Sequence, residues 1–372
     1  MRRSVCLVGF VLGVAACGDQ VGSGQGGGSG GTAGGGGSGG AGGSAASCQP
    51  SVEVSAGGFH SCAVSASNTV VCWGFNDRGQ SNPPGGSCTS IDAQTPCSAA
   101  SGSGSYQHVS SGSRHTCAID FEGRAVCWGE NGEGQSVPPG GTCDTTGAPA
   151  GVCIQARGTT PYAEISAGAY HTCAIRVSDG LVDCWGDQVM GQANPPTDVA
   201  FQEVSAGYYH TCGITVAGQL RCWGTDTDGQ IPANETATFA AVSAGFHHTC
   251  AVDIQGVTTC WGDDGEGQSS PVPGLYSTVA TGANHSCGRV EDSSLQCWGS
   301  GTTVAACTFA DGWQCGQSAP PNDTFAAVVA GDLHTCGVTC DGVVLCWGLG
   351  DTVTNCAASG ACGQAIVPTN QL

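Results

Sequence analysis

One pattern recurs seven times along this chain of 372 residues and constrains its fold more than any other feature. Each copy reads V-S-A-G-x-x-H-x-C with small variations, followed by C-W-G and then by G-Q. Successive histidines of the pattern are 55, 56, 39, 38, 37 and 49 residues apart. The bare unit therefore has 37 to 39 residues, and the longer units contain insertions. Such a chain is predicted to form a repeat architecture in which each unit packs against its neighbours.

We number the units 1 to 7 by these histidines, which are His60, His115, His171, His210, His248, His285 and His334. The C-W-G tryptophans are Trp73, Trp128, Trp185, Trp223, Trp261, Trp298 and Trp347. Within each unit, short runs of alternating apolar and small residues end at glycine or proline, which is typical of β-strands. The predicted fold class is all-β: a seven-bladed β-propeller of four-stranded blades over residues 48–372. A radial arrangement of repeated small sheets leaves only short, protected sheet edges, which favours this fold.

Unit 5, AGFHHTCAVDIQGVTTCWGDDGEGQ, shows how the cysteines are used. A hairpin that pairs Cys250 with Cys260 leaves a three-residue loop ending in Gly256, where such loops need a left-handed residue. The two cysteines then face each other at a non-hydrogen-bonded site, within disulfide range. The same register predicts seven hairpin disulfides: Cys62–Cys72, Cys117–Cys127, Cys173–Cys184, Cys212–Cys222, Cys250–Cys260, Cys287–Cys297 and Cys336–Cys346.

The other cysteines of the mature domain are assigned by counting. Each insertion holds two, which predicts the pairs Cys88–Cys97, Cys143–Cys153, Cys307–Cys315 and Cys356–Cys362. Cys48 and Cys340 are left, and joining them would tie the first unit to the last. Because side chains alternate along a strand, each tryptophan points away from its neighbouring disulfide, so stacked blades would bury both.

The N-terminus predicts export. Arg2 and Arg3 precede a short apolar run, and Val14-Ala15-Ala16-Cys17 resembles a bacterial lipobox. That resemblance implies a signal peptide over residues 1–16 and a lipidated Cys17; an ordinary secretory signal with an incidental cysteine is the alternative. Residues 17–47 are predicted to be a disordered tether, since sixteen of the thirty residues from Gly18 to Ser47 are glycine.

Charge and cysteine content restrict compartment and partners. The chain has 29 acidic and 9 basic residues, none of them lysine, and losing two arginines with the signal leaves 7 − 29 = −22. Such a surface repels phosphate backbones, which argues against nucleic acid as a partner. The 26 cysteines fit an oxidising compartment. The predicted location is the cell envelope, lipid-anchored at the outer membrane or cell surface.

The segments VSAGYYHTCGI (204–214) and RCWGTDTDGQ (221–230) resemble repeats of the regulator of chromosome condensation family. The resemblance covers about residues 52–368 and implies a propeller of seven four-stranded blades, closed between the termini. It implies no single activity, because the family includes a nucleotide-exchange factor and a secreted β-lactamase inhibitor. The paired cysteines, the acidity and the absence of Leu-Gly after G-Q depart from the family pattern.

Neither catalysis nor a cofactor is predicted. A histidine present once per unit is placed by symmetry and is expected to be hydrogen-bonded in the core. The cysteine spacing argues against zinc. The loops 226–229 and 263–266 resemble partial calcium loops, but Asp-Gly is also a common turn pair, so calcium stays an open alternative.

The two residues before each histidine vary between units and are expected to lie in a loop at one end of the ring. The candidate binding residues are Phe59, Arg114, Tyr170, Tyr209 and His247, together with Trp313 in the insertion of unit 6. The predicted function is a monomeric, non-catalytic module that binds an envelope or extracellular protein. A hydrolase or lyase using the channel, a glycan-binding module, and loop drift without function are the alternatives.

Overall fold

The computed structural model describes residues 52–86, 97–233, 235–302 and 316–349, with the single positions 48, 88, 365, 367 and 368. Every helix or strand within these residues is a β-strand, which confirms the all-β fold class. The described part of the chain has no helix that is long and apolar enough to span a membrane. The predicted signal, Cys17, the tether and Trp313 lie outside the described residues.

Each unit contributes three consecutive antiparallel strands. The first strands are β1 (Glu53–Ala56), β5 (Tyr106–Ser111), the end of β8 (Val152–Ala167), β11 (Phe201–Ala206), β14 (Phe239–Ala244), β17 (Tyr276–Thr281) and β20 (Phe325–Ala330). The second strands are β2 (His60–Val64), β6 (His115–Asp120), β9 (His171–Arg176), β12 (His210–Thr215), β15 (His248–Asp253), β18 (His285–Val290) and β21 (His334–Thr339). The third strands are β3 (Val70–Gly74), β7 (Arg124–Glu130), β10 (Val182–Gly186), β13 (Leu220–Gly224), β16 (Thr258–Gly262), β19 (Leu295–Gly299) and β22 (Val344–Gly348).

A fourth strand occurs in units 1 and 2 of the described chain, so the expectation of four strands in every blade is wrong for the bare units. In unit 1 it is β4 (Cys97–Ser101), and in unit 2 it is the start of β8, which continues into unit 3. Both come from insertions. The described sheets of units 3, 4 and 5 have three strands because few residues separate G-Q from the next unit, and these include proline, which cannot donate to a ladder.

The hairpins have the register that the cysteine spacing predicts. In unit 5, Cys250 lies opposite Cys260, and the Asp253 nitrogen donates to the Val257 oxygen at 2.9 Å across the turn. Gly256 has a φ of 86°, and Ser293, at the same place in unit 6, has a φ of 68°. The structure joins the two hairpin cysteines of each unit, with Cα atoms 4.0 to 4.1 Å apart.

Three further disulfides are present: Cys48–Cys340, Cys88–Cys97 and Cys143–Cys153. The predicted pairs Cys307–Cys315 and Cys356–Cys362 fall outside the described residues.

The hydrophobic core consists of clusters between successive units. In the cluster between units 5 and 6, Cys250 packs with Trp298. The same combination, a hairpin cysteine from one unit and the C-W-G tryptophan from the next, recurs at the other interfaces. It also occurs between Cys336 of unit 7 and Trp73 of unit 1. Burying the disulfide on one face of a blade and the indole on the other stabilises the stack of units.

The first strands contact one another in sequence, and β20 contacts β1. A belt of backbone hydrogen bonds follows the same path: the first residue of each variable loop donates to a carbonyl of the next unit, as Tyr208 does to Gly245 at 3.1 Å. The belt returns from Asp332 of unit 7 to Gly57 of unit 1 at 3.3 Å. These are the contacts that a closed ring requires.

Candidate functional site

The seven repeated histidines are buried and bonded between units. The Nε2 atom of His60 lies 2.7 Å from Oγ1 of Thr116 in the next unit, and that hydroxyl donates to the Gln80 carbonyl at 2.9 Å. Because the hydroxyl hydrogen is used there, it accepts from His60, which fixes the Nε2–H tautomer. The same donor–acceptor order from histidine through hydroxyl to carbonyl recurs at four more interfaces, between units 2–3, 3–4, 5–6 and 6–7.

The glutamine carbonyl also accepts the indole N–H of the following unit, as Gln80 does from Trp128 at 2.9 Å. The backbone carbonyl of each such G-Q glutamine therefore links adjacent units, because it accepts hydrogen bonds from both a hydroxyl and a tryptophan. Among the described residues, the Nδ1 atoms of all seven histidines have no hydrogen-bond partner. Burial lowers the pKa of His60 to about 3, so these rings are neutral packing groups at physiological pH.

Sequence reasoning missed three carboxylates on the first strands: Glu53, Glu164 and Glu203. Each accepts a backbone N–H from the first strand of the next unit, at 3.0 to 3.1 Å. Burial raises the pKa of Glu203 to about 8, and burial with repulsion from Glu203 raises the pKa of Glu164. The only sequence signal is an acid inside an otherwise apolar strand.

Glu53 differs because it faces His108 of unit 2, with Nδ1 and Oε2 3.0 Å apart. Burial by itself would lower the pKa of His108, but the hydrogen bond and the charge of Glu53 raise it. These pairs bind first strands to one another.

Carboxylates of the two acidic loops already have partners within the protein. Oδ1 of Asp226 accepts the Ile231 N–H at 2.8 Å, and Asp228 lies 3.0 Å from Nδ1 of His247. Asp263 accepts from its own loop in the same way. Among the described residues, no group of three or more His, Cys, Asp or Glu side chains could hold a metal ion.

Each variable loop has a first-position and a second-position residue, and only first-position residues line a shared depression. An open depression with about 400 Å³ of empty space lies where the ends of the first strands meet. First-position loop residues from six units line it: Gly58, Ser113, Ala169, Tyr208, Phe246 and Asp332. We call it the axial pocket.

The backbones around the axial pocket are tightly packed. A Cβ atom on Gly207 would lie 2.5 Å from the Gly245 carbonyl oxygen and 2.7 Å from Cε1 of His210. Glycine before the variable loop is therefore required for the units to approach this closely.

The five predicted binding residues that the structure describes occupy the second position and lie outside the lining of the axial pocket. In unit 1, Phe59 packs edge-on against Phe75, with ring centroids 6.1 Å apart. Arg114 of unit 2 donates to Asp77 at 3.1 Å. These two side chains are separate from the group formed by the other candidates.

Tyr170, Tyr209 and His247 come together with the first-position residues Tyr208 and Phe246. Ring centroids are 4.4 Å apart for Tyr208 and Tyr209, 3.7 Å for Tyr208 and Phe246, and 4.5 Å for Phe246 and His247. Tyr170 adds an edge contact to Tyr208 at 5.5 Å and a hydroxyl contact at 3.2 Å. All five side chains are partly exposed. We call this continuous surface on units 3, 4 and 5 the aromatic cap.

Comparison with known proteins agrees with the repeat pattern. The family model for the regulator of chromosome condensation (RCC1) repeat matches residues 52–80, 106–135, 162–192, 201–230 and 325–351. The chain is 26% identical to the ectodomain of the receptor kinase CR4 from Physcomitrella patens, over 80% of this chain and 73% of that one, with a TM-score of 0.57.

Two other solved structures show the same fold. The ectodomain of the Arabidopsis thaliana receptor kinase ACR4 is 25% identical over 81% of this chain and 95% of its own, with a TM-score of 0.55. Prp20p from Saccharomyces cerevisiae has a TM-score of 0.55 over 75% of this chain and 80% of its own, and at 15% identity the likeness shows the fold alone.

Proposed function

Since the chain belongs to the regulator of chromosome condensation repeat family, we propose that it is a non-catalytic binding module with a protein partner, and that the aromatic cap is its contact surface. The proposed scaffold is a closed ring of seven blades. The observation that carries the proposal is the convergence of five partly exposed aromatic rings from three successive units. Tyrosine and other aromatic residues are enriched at the energetic centres of protein interfaces.

The scaffold suits this task because it is rigid. Disulfides within hairpins, inter-unit hydrogen bonds and buried tryptophans hold the loops that present the cap. A preformed surface loses little conformational entropy on binding. Prp20p, which has the same fold, is described by its binding to Gsp1p and histones, and this supports a protein as the partner class.

The location is part of the proposal. Disulfides at this density, with the likeness to receptor ectodomains, point to an extracellular or secreted protein. The lipobox-like sequence at Val14–Cys17 supports a lipid anchor, and the glycine-rich tether would hold the domain off the membrane.

The cap does not lie where the insertions are. It occupies units 3 to 5, whereas the longer units are 6, 7, 1 and 2. The contact surface is therefore proposed on the bare side of the ring.

Affinity capture from native envelopes tests the proposal, using the full chain in neutral detergent with its Tyr209→Ala and Phe121→Ala variants. Phe121 is the matched control, because its ring is 59% exposed but lies in a hairpin turn of unit 2 away from the cap. We expect one protein to be retained by the wild type and by Phe121→Ala and lost by Tyr209→Ala. Retention of a glycan instead, or equal retention by all three chains, would contradict the proposal.

A further inference from the structure

The axial pocket combines an aromatic wall with a lone carboxylate. Tyr208 and Phe246 line one part of it, with ring centroids 3.7 Å apart and planes inclined at 31°. Asp332 of unit 7 lines another part, and the remaining lining is mostly glycine and alanine, with Ser111, Ser113 and Thr281. The concave surface is therefore small, exposes both polar and apolar groups, and is negatively charged at one point.

Asp332 has no counter-charge in the described part of the chain. Its carboxylate forms no hydrogen bond or ion pair there, although its backbone takes part in the belt. The guanidinium of Arg114, the arginine of the variable loops, is paired with Asp77, and the sequence has no lysine. Burial alone raises the pKa of Asp332 to about 6, so at neutral pH the group is mainly ionised in a site that disfavours its charge.

We propose that the axial pocket binds a basic side chain, the guanidinium or ammonium group of an arginine or lysine on the protein partner. The face of an aromatic ring attracts an organic cation, and a carboxylate forms charge-assisted hydrogen bonds with it. The acidic surface, with a net charge of −20 for the whole chain, steers a basic group toward the site. This inference rests on the proposed function, because it names the group that the partner inserts beside the aromatic cap.

The chemistry of the pocket argues against other ligands. An anion would meet Asp332 without any facing cation. A divalent metal prefers several oxygen ligands, whereas Asp332 is the single acidic side chain in the pocket lining. A neutral apolar group would leave the carboxylate desolvated and unpaired, which is costly.

Calorimetric titration with three peptides tests the inference on the full chain in neutral detergent. The probes are N-acetyl-Ala-Arg-Ala-amide, the same peptide with lysine, and the same peptide with citrulline, which keeps the shape of arginine but has no charge. We expect the arginine and lysine peptides to bind and the citrulline peptide to bind at least about tenfold more weakly. Equal binding of the arginine and citrulline peptides, or no binding of any peptide, would overturn the inference without any variant.

Two variants locate the site. Asp332→Asn should weaken binding of the arginine peptide about tenfold, because it removes the charge and keeps the shape. Phe121→Ala should leave it unchanged, since Phe121 lies in a hairpin turn of unit 2 and is absent from the pocket lining. Unchanged binding by Asp332→Asn would place the cation elsewhere and refute the site.

The two proposals fail in different ways. Partner capture by the wild type, with no binding of the charged peptides, leaves the proposed function standing and removes the pocket. Peptide binding at the pocket without any captured protein removes the proposed function instead.

Discussion

Lowering the pH from 6 to 5 is expected to destabilise the protein by several kcal/mol. The pKa of each repeated histidine is lowered by burial, to about 3 for His210 and about 4 for His248, so the folded rings stay neutral at pH 5. The unfolded chain, with ordinary histidine pKa values, binds more protons across this range. Proton binding therefore stabilises the unfolded chain more than the folded one. The free energy of unfolding falls as the pH drops below about 6.5.

The size of the effect follows from the proton count. Each histidine contributes about 1.2 kcal/mol of lost stability between pH 6 and 5, and seven contribute roughly 8 kcal/mol. Glu164, Glu203 and Asp332 act in the opposite direction, because their folded pKa values are raised. Three carboxyls offset about 3 kcal/mol at most, so a net loss on the order of 5 kcal/mol remains.

Guanidinium unfolding curves measured at pH 6 and pH 5, with disulfides intact, test this prediction. His210→Gln should reduce the loss between the two pH values by about 1 kcal/mol, whatever its effect on absolute stability. His108→Gln is the matched control, because the pKa of His108 is raised rather than lowered. Equal stability at the two pH values, or an unchanged pH dependence in His210→Gln, would refute the reasoning.

Other expectations concern single positions. Gly207→Ala should lower the free energy of unfolding by about 2 to 3 kcal/mol, since its Cβ would lie 2.5 Å from the Gly245 oxygen, while Gly132→Ala, with open space around it, should change little. Between pH 7 and 9 the wild type should lose about 1.4 kcal/mol of unfolding free energy through Glu203, because its folded pKa of about 8 makes deprotonation unfavourable there. Glu203→Gln should abolish this loss, and an equal pH dependence of the two proteins would contradict the prediction. Ser293→Gly should raise the thermal midpoint, with a gain of about 0.5 to 1 kcal/mol, because serine is strained at a φ of 68°; a lower midpoint would show that its bond to Arg289 matters more.

The repeat pattern predicted the local structure of each unit well. Two cysteines ten or eleven residues apart, around a residue with a positive φ, determine one hairpin register, and alternation then places the tryptophan on the other face. These are short-range geometric consequences, and the structure has the same register in every unit.

The arrangement of the variable-loop residues could not be predicted from the sequence. Both residues of each variable loop were recognised as variable, but the binding residues predicted in these loops were all from the second position. Loop conformation decides which residue faces the axis, and periodicity carries no information about it, so Tyr208, Phe246 and Asp332 were missed. The fourth strands were also misjudged, because they are built from insertions rather than from the repeat itself.

Site-specific photocrosslinking in native envelopes tests the central claim, that this protein binds a protein through the aromatic cap. A photoreactive phenylalanine would replace Tyr209 in one chain and the exposed Phe121 in another. We expect a discrete adduct with one protein from position 209 and none from position 121. An adduct from position 121 alone, or none from position 209 or from the neighbouring cap position 170, would contradict the claim.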